Sequence, residues 1–88
     1  MEKRIRQNVN GKRYFDHVVG KTLIEIAGDR RVLVERHCGV LAYDSENICI
    51  KTTYGCVHVT GCNLCLSKMT DAVLAITGQI LSVMMQRG

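Results

Sequence analysis

At 88 residues the chain has room for one domain with a modest core, burying roughly 60–65% of its unfolded surface. Its 47% hydrophobic content never gathers into a run near the ~20 residues that span a bilayer, and no apolar block follows the first charges as in a secretory signal. Five cysteines, an odd number, suit a reducing compartment better than a disulfide framework, so a soluble intracellular protein is expected.

Residues 1–21 read as a basic N-terminal arm. Lys3, Arg4, Arg6, Lys12, Arg13 and Lys21 stand against Glu2 and Asp16, whereas residues 22–88 carry six basic and six acidic side chains. All of the +4 net charge therefore lies in the arm. Such a segment can touch an anionic membrane surface or nucleic acid, with Lys3, Arg4, Arg6, Lys12 and Arg13 as the contacts. A solvated tail that aids solubility is the plainer reading. No basic run interleaves with aromatic residues, which argues against nucleic acid. Asn10-Gly11 marks a turn. In RYFDHVVG (residues 13–20) the i,i+4 pairs Tyr14/Val18 and Phe15/Val19, closed by Gly20, fit a short helix. The two valines fit a strand almost as well.

From residue 22 the chain becomes a succession of short β-branched and aliphatic segments: TLIEIAG, RVLVERH, GVLAYD, NICIKTT, GCVHVTG, NLCLSKM, AVLAITG and QILSVMM. Each is bounded by Gly, Asp, Asn or Ser, as strands are. Period-two alternation sets Ile48 and Ile50 against Cys49 and Lys51. It likewise sets Val57 and Val59 against Cys56, His58 and Thr60, and Leu64 and Leu66 against Asn63 and Cys65. Breaks of a few residues, such as Gly28-Asp29-Arg30, Asp44-Ser45-Glu46 and Gly61-Cys62, allow antiparallel hairpins and forbid parallel crossovers. Residues 22–88 are therefore expected to be a single all-β domain. The expected form is an antiparallel meander of about seven or eight short strands curled into a sandwich or partly open barrel. With no proline in the chain, one common means of protecting sheet edges is missing, and an edge could pair with a second copy or a partner strand.

The densest chemistry lies in GCVHVTGCNLCL (residues 55–66), which reads C-x-H-x3-C-x2-C through Cys56, His58, Cys62 and Cys65. Four N/S ligands could make a structural zinc site. In a straight strand, however, Cys62 and Cys65 point to opposite faces, and Cys56 and His58 lie about 7 Å apart. A lone C-x2-C is a weak signal, and no βαβ unit supports a redox pair. The favoured reading is cysteine as a small hydrophobe in or beside the core. His17, His37 and His58 are far apart in sequence, and no carboxylates pair for acid–base work. The glycines are single turn residues rather than a phosphate cradle. Met69, Met84 and Met85 read as core filler and C-terminal packing. No catalytic residue and no cofactor is expected.

Three runs in order carry a resemblance. They are V-x-V-E-x-x-x-G-V-L-x-Y (Val32 to Tyr43), I-x-I-x-T-x-x-G-x-V-x-V-x-G-x-N-L-x-L (Ile48 to Leu66) and A-V-x-A-I-x-G-x-I-x-S-V (Ala72 to Val83). Together they resemble the YabP/YqfC family of small sporulation proteins, closer to the YqfC branch. The resemblance implies an all-β, non-enzymatic protein of the mother cell of endospore formers, cytoplasmic or peripheral at the forespore membrane. A membrane protein of the sporulation programme is the implied partner. It transfers no catalytic or ligand residue. Its fixed points here are Gly39, Gly55, Gly61, Asn63 and Gly78, which suit turns and bulges.

Overall fold

The computed structural model describes residues 20–88; the basic contacts expected at Lys3, Arg4, Arg6, Lys12 and Arg13 and the short element at 13–20 lie outside it, Gly20 apart. The described residues form six antiparallel strands in one sheet, and no helix. They are β1 (Leu23–Ala27), β2 (Arg31–Glu35), β3 (Val40–Tyr43), β4 (Asn47–Thr52), β5 (Gly55–Met69) and β6 (Val73–Arg87). The order across the sheet is β1-β2-β6-β5-β4-β3. The all-β antiparallel class expected from the alternation is thus present. The count is six rather than seven or eight because GCVHVTG and NLCLSKM fuse into β5, and AVLAITG and QILSVMM into β6. Each fused strand is 15 residues long.

The sheet has two halves that share the β5–β6 ribbon. In one half, β4 pairs with Gly55–Thr60 of β5, which in turn pairs with the end of β6. In the other, β2 pairs with Val73–Thr77 of β6, which pairs with Cys65–Met69 of β5. The central strands of both halves contribute alternate residues to one core. Ile48 and Ile50 of β4, Val57 and Val59 of β5, Val32 and Val34 of β2, and Leu74 and Ile76 of β6 are all fully buried in a single cluster. Removing each such side chain from water is worth about 1.5–3 kcal/mol. One face of a flat sheet could not bury them, so the two halves must face each other.

The β2–β3 link requires the same folding. It has four residues, 36–39, yet it joins strands four places apart in the sheet. Across a flat sheet that is about 19 Å, beyond the roughly 17–18 Å that the five steps from Glu35 to Val40 reach when fully extended. The link is not extended: Arg36 (φ 59°) and Gly39 (φ 123°) both turn. Its backbone is held on both sides, with Arg36 N–H donating to the Ala72 carbonyl at 2.6 Å and Cys38 N–H to that of Lys51 at 2.8 Å. His37 pins it further. Gly39 N–H donates to His37 Nδ1 (3.1 Å), which places the ring proton on Nε2, and Nε2 donates to the Thr70 carbonyl (2.8 Å).

Where the halves meet, Thr22 closes the open side. It is buried, and its N–H donates to Thr53 Oγ1 (3.0 Å) while Thr53 N–H donates back to Thr22 Oγ1 (3.0 Å). The Thr22 hydroxyl also donates to the Arg36 carbonyl (2.7 Å). At the β3–β4 turn, Asp44 accepts from the N–H groups of Glu46 and Asn47, each at 2.7 Å.

Two outcomes are expected. Thr22→Val keeps the shape but leaves the part-buried Thr53 N–H and Arg36 carbonyl without their partner, so urea unfolding should show a loss of about 1 kcal/mol. Thr60→Val, at a half-exposed pair with Ser82, should change stability by less than about 0.5 kcal/mol. Second, the two backbone donors, that of Glu46 foremost, hold the Asp44 carboxyl below its ordinary value of 3.8. A lowered folded value means this stabilisation is present above that ordinary value and is lost as pH falls through the folded one. Asp44→Asn, which keeps an accepting oxygen, should remove that part of the acid-induced loss in unfolding titrations below about pH 4.

Candidate functional site

GCVHVTGCNLCL lies entirely within β5. Its first part alternates as expected, with Val57 and Val59 buried and Cys56, His58 and Thr60 on the outer face. The expected joint between two strands at Gly61-Cys62 is instead crossed by one continuous strand, with one bulge on β6 and one on β5. Leu81 is the extra residue where the register shifts between Thr60/Gly61 and Ser82/Ile80. Between the pairs Cys62↔Gln79 and Cys65↔Thr77, Asn63 and Leu64 oppose the single residue Gly78.

Asn63 takes the left-handed conformation (φ 54°), which a short polar side chain tolerates better than most. That residue resets the alternation. Leu64 turns inward at 4% exposure, and Cys62 and Cys65 both end up exposed, not on opposite faces as a straight strand would put them. Gly78 (φ 135°) faces this kink so closely that a Cβ there would sit 2.5 Å from the Asn63 carbonyl oxygen. A Cβ on Gly61 would sit 2.0 Å from that of Gln79. Hairpin tips brace the bend: Gly61 N–H donates to the Glu46 carbonyl, Leu64 N–H to Ser45, Gly78 N–H to Arg30 and Ile80 N–H to Asp29. Of the other expected turn residues, Gly39 sits in the β2–β3 link and Gly55 begins β5 against the backbone of Gln86.

Cys49, Cys56, Cys62 and Cys65 occupy outer positions of the alternation and Cys38 sits in the β2–β3 link, so none is in the core. Cys38, Cys62 and Cys65 are exposed, Cys49 and Cys56 are half-buried, and all five are free thiols. Of the two places expected for them, in or beside the core, Cys49 and Cys56 take the second, because the pleat gives the inner face to the aliphatic residues between them. Cys49 lies directly opposite His58, and Cys56 Sγ is 3.8 Å from Gln86 Oε1. Burial, and then the neighbouring Cys56, push the Cys49 thiol up, away from the thiolate that binds metals or attacks substrates. Among the described residues no three His, Cys, Asp or Glu side chains converge on one point. Cys56, His58, Cys62 and Cys65 are strung along one strand rather than gathered.

The methionines are a correction. Met69 is 55% exposed, and Met84 and Met85 are each 63% exposed. Met85 does lie on the inner face, opposite Val57, and Met84 lies on the outer face opposite His58. No strand covers their far side, because β2 pairs with β6 only as far as Thr77. Beyond Ile80, the outer edge of β6 has no partner strand among the described residues. Leu81, 68% exposed, completes an apolar rim along it. The sequence held one signal for this surface: from Gln79 to Gln86 there is neither a charge nor a proline, the devices that usually blunt an edge. Among the described residues no helix is long and apolar enough to cross a membrane.

The sequence model of the YabP family matches residues 19–88, a span that takes in the whole described sheet, and the chain belongs to that family. Membership is consistent with a sporulation-related role. No curated protein and no solved structure matches the chain.

The bend gives a direct test. Gly78→Ala should drive its Cβ into the Asn63 backbone and cost several kcal/mol, on the order of 3 or more. Gly28→Ala has a positive φ of 57° but nothing within 4 Å, so it should cost about 1 kcal/mol. Urea midpoints of the two variants would compare them.

Proposed function

We propose that this member of the YabP family is a non-enzymatic sporulation protein that works through protein–protein contacts, in the mother-cell cytoplasm at or near the forespore membrane. The observation that carries the reading is the rim of Leu81, Met84 and Met85, an exposed apolar strand edge on a domain whose thiols and imidazoles do not converge. Large exposed apolar side chains on a small sheet are commonly contact surfaces, and an open edge recruits a strand through main-chain hydrogen bonds. A membrane protein of the sporulation programme fits as partner by the family resemblance.

The basic arm supplies the approach to the membrane. Residues 22–88 are electrically neutral overall, so any attraction to an anionic leaflet rests on Lys3, Arg4, Arg6, Lys12 and Arg13. Each is worth about 1 kcal/mol near such a surface, and the effect fades within a Debye length. Affinity capture from sporulating cells, with the arm intact and with residues 1–12 deleted, tests both parts. A co-purified membrane protein and a shift of the deleted form away from the forespore membrane are expected. Recovery of no membrane protein, together with unchanged localisation of the deleted form, would remove the support for this mechanism.

A further inference from the structure

The described domain has four strand edges, and three are blunted. β1 is five residues long with Glu25 at its centre. β3 is four residues long and bulged around Leu41. The second half of β5 carries Lys68 and an extra residue, Ser67, in its register. Short length, charge and bulges are the usual protections against edge pairing. From Ser82 to Arg87, β6 has none of them until its final residue. After the Leu81 bulge it runs in unbroken register with β5, from Ser82↔Thr60 to Arg87↔Gly55.

We infer that this edge takes the same edge of a second copy of the chain, antiparallel, about a two-fold axis at Met84. A strand that fits here must put apolar side chains beside Val83 and Met85 on the inner face and polar ones beside Ser82 and Gln86 on the outer face. The segment itself meets both demands. The axis at Met84 sets Val83 against the partner's Met85 on the inner face and Ser82 against the partner's Gln86 on the outer. Met84 meets its own copy. Side-chain parity is kept throughout, as sheet continuation requires, and each copy at once satisfies the backbone groups that have no partner strand among the other's described residues.

Charge selects the orientation. Antiparallel pairing leaves the two Arg87 side chains about six residue steps, roughly 20 Å, apart, beyond the ~8 Å Debye length at physiological salt. Each lies instead beside the partner's Leu81, whose apolar surface its methylene stem can cover. Parallel pairing would set Arg87 against Arg87. Three exposed side chains and six residues of backbone fall short of the ~800 Å² per partner of a standard interface, so the dimer is weak and concentration-dependent.

This pairing uses the edge offered above to a partner strand and would compete with it there; the purified full-length chain alone tests the pairing, whether or not a membrane partner is found. Sedimentation equilibrium from about 10 μM to about 1 mM should show a monomer–dimer equilibrium. Met84→Lys places two ammonium groups face to face and should weaken the dimer at least ~10-fold, with the far-UV circular dichroism unchanged. Met69→Lys, at a similarly exposed methionine on another edge, should leave the dimer intact. A monomer at every concentration, a dimer indifferent to Met84→Lys, or equal weakening by Met69→Lys would each overturn the assignment.

Discussion

Everything in this domain depends on folding one sheet back upon itself. An antiparallel sheet can leave one face to water only if that face is polar, and here the inner face carries the full run of valine, isoleucine and leucine from four strands. The halves can cover each other only if the long β5–β6 ribbon bends sharply. A regular antiparallel pair resists such bending, so the bend is made by extra residues on one strand and missing side chains on the other. Leu81 is the extra residue beside Gly61, and Asn63 and Leu64 together oppose the single residue Gly78. The two glycines lie against the facing backbone at distances no side chain could occupy. The four-residue β2–β3 link, too short to cross a flat sheet, then holds the halves together from outside.

Much of this was legible in the sequence, and the reason is the pleat. Alternation at Val32/Val34, Ile48/Ile50 and Val57/Val59 identifies inner positions without reference to any partner strand. The glycines that shape the bend, Gly61 and Gly78, stand out as single residues between apolar runs. What alternation cannot distinguish is a turn from a bulge. Both interrupt the period and both favour Gly and Asn, so the breaks at Gly61-Cys62 and Gly78 read as strand ends when they are kinks inside continuous strands. The error at Cys62 and Cys65 has the same source. Counting three residues along an ideal strand puts them on opposite faces, but one left-handed residue, Asn63, shifts the parity between them.

The methionines failed for a different reason. Met85 lies on the inner face opposite Val57, yet it remains exposed because burial depends on neighbours on both sides. Strand order is a tertiary property, and no local period encodes that β2 leaves β6 after Thr77. The placement of the cysteines follows from the same competition. The inner face is filled by side chains with more apolar surface to hide, and the thiols take the alternate positions. There they add little packing and, spread over β4 and β5, no common ligand point.

The bend and the open edge are one feature seen from two sides. β6 is a central strand until Thr77, flanked by β2 and β5, and becomes an edge strand beyond Ile80. β5 does the reverse, central while β4 accompanies it to Thr60 and an edge from Cys65 onward. Each long strand thus trades places at the bend, and each half inherits one edge that was designed as interior in the other. The inner positions of the β6 edge cannot simply be made polar to protect it, because Val83 and Met85 continue the inner rows of Val59 and Val57. Charging them would put a polar group beside the fully buried core. The apolar character of Val83 and Met85 is therefore a requirement of the fold before it is a property of any contact, and a strand laid against this edge would extend rows that the core has already begun.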